Sequence, residues 1–239
     1  PRHPRSIYVD NVLGIAESGM AGHVDAALAT MSADVALARA TLPPDTEILG
    51  SVISVLGDVQ FLAGDYDSAI TSLTEAQGIL KAAKSSAAGT NEMLLGQAQL
   101  HRHSAEALAT LRDARARLAA VHGAGPKFIA LTDAAYGAAL AARGDIAEGE
   151  RIARAARASV LAGASAGSVR LADIDRLLAG ILDRKGAGAE ARSLREEGIA
   201  IYRRVYGPGH PRERSLANEL ATAIGRAAAS SHRDNQRAL

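Results

Sequence analysis

The order of apolar and polar residues predicts helices along the whole chain. No stretch alternates apolar and polar residues as a half-buried strand does. Breakers such as Pro43-Pro44, HGAGP at 122–126 and GPGHP at 207–211 separate segments of helical length. The predicted helices are 5–20, 22–41, 44–63, 66–84, 88–102, 104–122, 125–143, 146–163, 167–185, 187–206 and 210–229.

A glycine recurs inside every second predicted helix, about every 42 residues. These glycines are Gly14, Gly57, Gly96, Gly137 and Gly180. A glycine inside a helix costs about 1 kcal/mol relative to alanine. Because the glycines recur in register, we interpret each as a place where a neighbouring helix comes close. Each is followed by a turn residue, at Gly22, Gly64, Arg102, Gly144 and Gly186, which predicts five helix–turn–helix units.

The small residues of these units resemble the tetratricopeptide repeat (TPR). Leu56-Gly57, Gly64-Asp65, Ala69 and Ala76 match its small-residue pattern. The long period and the segment IYRRVYGPGHP are similar to the kinesin-light-chain variety, in which a loop ending Gly-x-x-His-Pro precedes the next first helix. His3-Pro4 and His210-Pro211 would then mark the same point in two repeats. The resemblance implies an all-α fold, a right-handed α-solenoid of about five helix pairs with a terminal capping helix.

This resemblance implies one superhelical domain over residues 1–229, followed by a polar tail at 230–239. The expected repeats are 3–42, 43–84, 85–122, 123–163 and 164–206, and the capping helix is 210–229. The apolar side of that helix carries Leu216, Leu220 and Ile224. It either covers the fifth pair or meets another copy of the chain. We therefore expect a monomer or a weak homodimer formed through the C-terminal helix.

Composition and charge exclude several kinds of chemistry. The formal net charge is +1, whereas nucleic-acid binding is normally accompanied by an excess of Lys and Arg. The chain has no cysteine, so disulfides, thiol nucleophiles and Cys-based zinc sites are excluded. No apolar run reaches the roughly 20 residues that span a bilayer. No phosphate-binding or catalytic motif occurs, and the HRH cluster at 101–103 is a poor metal site. We expect no catalytic residue, no metal and no cofactor.

The resemblance implies that the first helices of the pairs line a concave groove. The positions that would face the groove are Asn11, Ser54, Asp58, Phe61, Met93, Gln97, Leu100, Leu177, Ile181, Arg184 and Asn218. Asn11 and Asn218 match family asparagines that bond the backbone of a bound peptide, and the middle units lack them. Phe61, Met93 and Leu100 indicate a small, apolar centre suited to an amphipathic partner helix or segment. The alternative is that these side chains pack between repeats.

We therefore expect a non-catalytic protein–protein interaction module with a protein or peptide partner. The chain does not begin with Met, and Ala- and Arg-rich usage indicates a bacterial source. By analogy it would be the sensor or docking part of a larger signalling protein, such as a Ser/Thr kinase or a transcriptional regulator. We expect the cytoplasm, or the periplasm if a membrane segment lies upstream. The alternatives are a small-ligand or peptide sensor, which a deep pocket near Phe61 would favour, and self-assembly through the terminal helix.

Overall fold

The computed structural model describes residues 23–121, 126–163 and 167–237, which form ten helices and no strand. The helices are α1 (Val24–Thr41), α2 (Glu47–Ala63), α3 (Tyr66–Ala82), α4 (Ala88–His101), α5 (Ala107–Ala120), α6 (Pro126–Ala142), α7 (Ile146–Ala162), α8 (Val169–Lys185), α9 (Gly188–Tyr206) and α10 (Pro211–Arg237). The predicted first helix at 5–20 lies outside the described residues.

Neighbouring helices pack as antiparallel pairs, α2 with α3, α4 with α5, α6 with α7 and α8 with α9. Each pair then packs on the next, and α6 also lies directly against α8. Helix α1 corresponds to the second helix of the first unit, and α10 follows the last pair. The predicted all-helical solenoid is confirmed.

The turn inside each pair depends on a residue with left-handed backbone. Gly64 has φ +86° and Gly144 has φ +102°, a conformation that glycine adopts without steric cost. The next residue caps the following helix: the Asp65 carboxylate accepts a hydrogen bond from the Ser68 backbone N–H at 3.2 Å. These Gly-Asp turns fix where each second helix begins.

Two details of the predicted register are wrong by one residue. In the third unit the left-handed turn residue is His103, with φ 54°, and not Arg102. In the fifth unit the residue seven positions before the turn glycine Gly186 is Ala179, which is fully buried. A Cβ added at Gly180 would meet nothing within 4 Å, so Gly180 is not the packing residue of its helix.

The other recurring glycines lie where two helices of a pair cross. A Cβ on Gly57 would lie 2.6 Å from Cγ of Leu73, and one on Gly96 would lie 2.5 Å from Cγ of Leu111. At Gly137 the added carbon would meet backbone of the partner helix. The glycines therefore let leucine side chains or backbone of the second helix approach the first helix directly.

The terminal helix covers the fifth pair over its first half. Leu216 is fully buried, and its side chain lies where a Cβ on Gly198 would be, which supports the capping interpretation. Ile224, by contrast, is 42% exposed. The helix continues to Arg237, eight residues beyond the predicted end at 229, where a polar tail was expected.

The His-Pro segment at the start of α10 has a structural explanation. The Arg212 backbone N–H donates to Nδ1 of His210 at 3.2 Å, and the Gly209 N–H donates to the Glu213 carboxylate at 2.6 Å. This reciprocal arrangement satisfies backbone donors around the helix start, as a capping box does. The buried His210 ring stacks on Tyr206, with centroids 4.3 Å apart.

A buried ion pair joins α7 to α8. Arg157 Nε donates to the Asp175 carboxylate at 2.6 Å, and Asp175 is fully buried. Burial raises the pKa of Asp175 to about 6, although the Arg157 charge acts in the opposite direction. Ionisation of the Asp175 carboxyl group therefore costs more free energy in the folded chain than in water.

The glycine contacts predict opposite effects of the same substitution at two positions. We expect Gly96→Ala to lower the free energy of unfolding by about 1–3 kcal/mol, because the methyl group overlaps Leu111. Gly180→Ala should raise it by up to about 1 kcal/mol, since helix propensity improves and nothing is displaced. Urea unfolding followed by circular dichroism measures both. Equal effects would contradict the proposed role of Gly96.

The raised pKa of Asp175 predicts a pH dependence of stability. The pKa of an unfolded aspartate is about 3.9, so between pH 4 and 6 the folded chain holds more protons at this site and becomes less stable as pH rises. Asp175→Asn should remove this contribution. Urea unfolding at pH 4, 5, 6 and 7 compares the two chains. Parallel stability curves would show that Asp175 does not titrate as described.

Candidate functional site

The last helix of the solenoid touches the first helix of an early repeat. Helix α10 contacts α2, although many residues separate them in sequence. In a solenoid each repeat normally contacts only its neighbours. The superhelix has therefore turned far enough for α10 to reach the second repeat.

Charged side chains gather where α10 meets α2 and α8, and we call Asp58, Asp173, Arg176, Arg212 and Glu219 the closure cluster. Arg212 Nη1, on α10, donates to Oδ1 of Asp173 on α8 at 2.6 Å. Arg176, on α8, donates through Nε and Nη2 to Oε1 of Glu219 on α10, at 2.8 and 2.6 Å. Each of the helices α8 and α10 thus contributes one arginine and one carboxylate, and two ion pairs connect them.

Asp58 extends the cluster to α2. Burial raises the pKa of this carboxyl group, and the charge of Asp173 acts in the same direction. The guanidinium groups of Arg212 and Arg170 oppose that shift and favour the ionised form. A carboxylate from α2 therefore lies in the field of arginines from α10 and α8, at the point where the two ends meet.

An aromatic wall stands beside the closure cluster. The rings of Tyr66 and His101 are stacked, 4.2 Å apart and 8° from parallel, and Phe61 meets His101 edge-on at 5.5 Å. Burial lowers the pKa of His101 well below its usual value, and the Arg176 charge adds to this effect.

The tautomer of this neutral histidine follows from its neighbour. Nδ1 of His101 lies 3.3 Å from Nη2 of Arg176. A guanidinium group can only donate, so Nδ1 accepts and the ring proton is on Nε2.

These groups line a partly open cavity of about 330 Å³ where α10 meets α2. Its lining comes from α2, the turn after it, the start of α3, and α4, α8, α9 and α10: Phe61, Leu62, Ala63, Gly64, Tyr66, Gln97, Leu100, His101, Asp173, Arg176, Leu177, Tyr202, Pro211, Arg212, Arg214, Ser215 and Asn218. Nε2 of Gln97 and Nε of Arg212 are buried without a hydrogen-bond partner in the described part of the chain. Charged and aromatic groups thus share the lining and meet where Arg176 contacts His101.

The structure brings together five of the predicted groove residues. Phe61, Gln97, Leu100, Leu177 and Asn218 all line the cavity. The expectation of a small, apolar centre is not met, because arginines and an aspartate share the same lining.

The other predicted residues lie elsewhere. Met93 and Ile181 are buried in the core, with 2% and 1% of their surfaces exposed, so they do not reach the cavity. Arg184 lines a second cavity of about 260 Å³ near the end of α4. Ser54 is half-buried on α2, Asp58 belongs to the closure cluster, and Asn11 lies outside the described residues.

Sequence reasoning missed Arg176, Asp173 and Arg212. The groove position was predicted by counting back three residues from the packing residue of each first helix. Counting from Gly180 gives Leu177, whereas counting from the true packing residue, Ala179, gives Arg176. The sequence did contain a signal for Ala179, because it lies seven residues before the turn glycine Gly186, the same spacing as in other units. Arg212 follows the His-Pro pair directly, and no repeat position nominated it.

The described ranges contain no group of three or more His, Asp or Glu side chains arranged to hold a metal ion. In the HRH cluster, His101 belongs to the aromatic wall and Arg102 pairs with Asp67 at 2.7 Å. Over these same ranges, no helix has the length and apolar character needed to cross a membrane.

Comparison with solved structures identifies the fold. The TPR-like repeats of a kinesin-light-chain-like protein from Podosopora anserina superpose with a TM-score of 0.60 at 18% identity, covering 85% of this chain and 98% of that chain. A single-substitution variant of that protein gives a TM-score of 0.61 with the same identity and coverage. The TPR-like fold implied by the sequence is thereby confirmed. Neither the models of protein families nor the curated protein sequences gave a match.

The closure cluster predicts that one arginine fixes α10 against α8. We expect Arg212→Gln to lower the free energy of unfolding by about 3 kcal/mol, because Asp173 keeps its partly buried charge without its cation. The matched control is Arg192→Gln, in an exposed pair with Glu196, which should cost less than about 1 kcal/mol.

A distance measurement separates closure from general stability. The chain has no cysteine, so spin labels can be attached only at cysteines introduced at Thr74 on α3 and Thr222 on α10. In Arg212→Gln we expect the label–label distance to become longer or more widely distributed than in Arg192→Gln. An unchanged distance distribution would show that the ion pair does not fix the position of α10.

Proposed function

We propose that this chain is a non-catalytic interaction module that binds a segment of another protein at its concave face. The observation that carries the proposal is the convergence of α2, α4, α8 and α10 on one cavity. Repeat solenoids use their concave surfaces in this way. The cavity offers both apolar contact and hydrogen-bond donors, which together provide affinity and orientation.

The size of the cavity favours a short extended segment over a partner helix. An α-helix with its side chains is about 10–12 Å across, which is too wide for a cavity of about 330 Å³ that is closed by the contact of α10 with α2. One end or one side chain of an extended segment fits this space. The rest of such a segment would lie along the surfaces of α4 and α10.

The wider role rests on analogy. Ala- and Arg-rich usage and a repeat fold support a place as the sensor or docking part of a larger bacterial signalling protein, such as a Ser/Thr kinase or a transcriptional regulator. The closure cluster would connect binding to shape, because a partner that reaches Arg176 or Arg212 competes with Glu219 or Asp173. A second candidate function, recognition of a small molecule, is favoured by the enclosed cavity beside Phe61.

A blocked cavity tests the interaction role. Asn218→Tyr places a large ring at the cavity mouth from an exposed position on α10, and Thr222→Tyr places the same ring one turn further on, outside the lining. The unsubstituted chain and both variants are used as baits in lysate of the source cells, after circular dichroism shows equal helix content. We expect Asn218→Tyr alone to lose its partner. A partner retained equally by all three baits would contradict binding at the cavity.

A further inference from the structure

The second cavity, of about 260 Å³, lies where the ends of α4, α6 and α8 meet the start of α5. Its lining includes Arg143, Arg184 and His103, and no carboxylate of the described residues belongs to it. Over the described ranges, neither arginine forms an ion pair. Asp183, next to Arg184 in sequence, pairs with Arg195 at 2.6 Å. The cavity therefore collects positive charge.

The turn that supplies His103 departs from the other turns of this chain. The left-handed residue is a glycine at Gly64, Gly144 and Gly186, but here it is His103, with φ 54°. The backbone N–H of His103 makes the same turn hydrogen bond as that of Gly64, at 3.1 Å in both turns. A side chain in this conformation costs free energy that glycine avoids. The histidine therefore stands against the preference of its backbone, and its ring lines the cavity.

The residue after the left-handed position changes in the same sense. In two other turns it is Asp65 or Asp145, which caps the next helix with a negative charge. Here it is Ser104, whose Oγ accepts a hydrogen bond from the Glu106 backbone N–H at 3.2 Å. The hydroxyl hydrogen can still be donated. At two consecutive lining positions, the third unit has thus lost a carboxylate and gained an imidazole and a hydroxyl.

The helix ends do not need the two arginines as caps. The backbone N–H groups of Gly144 and Asp145 donate to the last carbonyls of α6, each at 3.1 Å. Those of Gly186 and Ala187 do the same at the end of α8, at 3.1 and 2.9 Å. These turns therefore already satisfy carbonyls that a cation at a helix C-terminus would otherwise serve. The start of α5, which is the positive end of its helix dipole, belongs to the same lining.

Size and chemistry together select the ligand. The cavity is just below the usual volume of drug-sized sites, so it suits a small charged group with a few carbon atoms. Guanidinium groups match the geometry of phosphate oxygens, and a phosphate monoester carries nearly two negative charges. Two arginines therefore balance one phosphate group better than one carboxylate. The rest of the lining is apolar and can contact the adjoining carbon atoms: Leu100, Ala105, Ala107, Leu108, Ala139 and Ala142.

We propose that the second cavity binds the phosphate group of a phosphate monoester, carried by a small molecule or by a phosphorylated side chain. Arg143 and Arg184 pair with the phosphate oxygens, and His103 and Ser104 donate hydrogen bonds to them. This cavity shares only Leu100 with the cavity at the closure cluster, so the proposal does not rest on the interaction role.

Calorimetric titration of the whole chain at low salt tests the ligand class. The probes are N-acetyl-phosphoserine methylamide and the matching serine and aspartate compounds, which carry a hydroxyl and a carboxylate in place of the phosphate. We expect the phosphorylated probe to bind once per chain, the aspartate compound to bind at least about tenfold more weakly, and the serine compound to give no heat of binding. Absence of binding by the phosphorylated probe, or equal binding of the aspartate compound, would overturn the proposal.

A peptide probe separates the two sources of the phosphate group. It is a blocked pentapeptide with phosphoserine between two pairs of alanines. Binding more than about tenfold tighter than that of the small probe identifies a phosphorylated protein segment as the source. Comparable or weaker binding identifies a small phosphate monoester. Either result supports recognition of the phosphate group.

Two substitutions give the third unit the turn residues of Gly64-Asp65. His103→Gly removes the strained side chain, and Ser104→Asp supplies a charged helix cap, so Tm should stay the same or rise in both. Affinity for the phosphorylated probe should fall at least about tenfold in each, because a donor is lost or a carboxylate faces the phosphate. If both variants bind this probe as the unsubstituted chain does, the second cavity is not the site.

The arginines are tested with a matched control for charge. Arg143→Gln and Arg184→Gln should each weaken binding of the phosphorylated probe about tenfold. Arg226→Gln removes the same charge from an exposed position on α10 outside the lining, and we expect it to leave the affinity unchanged. An equal loss of affinity in all three variants would indicate a general charge effect and overturn the assignment of the phosphate to this cavity.

Discussion

Close approach of helices at positions without a side chain is the constraint on which this structure depends. Gly57 and Gly96 let leucines of the second helix reach the backbone of the first, and Gly137 lets two backbones meet. With only 3% aromatic residues, the chain cannot fill wide gaps between helices. Small residues at the crossings and leucines between them are what give dense packing here.

The contact of α10 with α2 explains why charged side chains lie inside the solenoid. When α10 returns to α2, side chains that would be solvated in an open groove become enclosed. Isolated charges are expensive in such a place, so they persist only as pairs with good geometry. Arg212 with Asp173 and Arg176 with Glu219 meet that requirement, each within 2.6 Å. Helix α10 is therefore fixed to α8 by contacts that a competing ligand can replace with similar chemistry.

The helices and the turns inside each pair could be predicted, because local signals determine them. Gly64-Asp65 carries both the left-handed residue and the cap in two consecutive letters. The closure could not be predicted in this way, since it is the sum of small rotations between repeats and no single pair of residues encodes it. The same reason explains why only part of the site could be predicted. Phe61, Gln97 and Leu100 follow the repeat register, whereas Arg212 enters the cavity only because the superhelix closes.

The energetics of the cavity bear on its purpose. A leucine at Gln97 would fit a nine-tenths-buried position and remove an unsatisfied donor, so selection for stability alone would favour it. A neutral histidine stacked on Tyr66 and accepting from Arg176 through Nδ1 is likewise an expensive way to build a packing contact. In the rest of the described chain, buried polar atoms without a partner also occur on Gln77, Asn91 and Arg195. Such atoms therefore do not mark the site by themselves. What distinguishes the cavity is that arginines, a neutral histidine and further aromatic rings share one lining, which is typical of a site kept for binding rather than for folding.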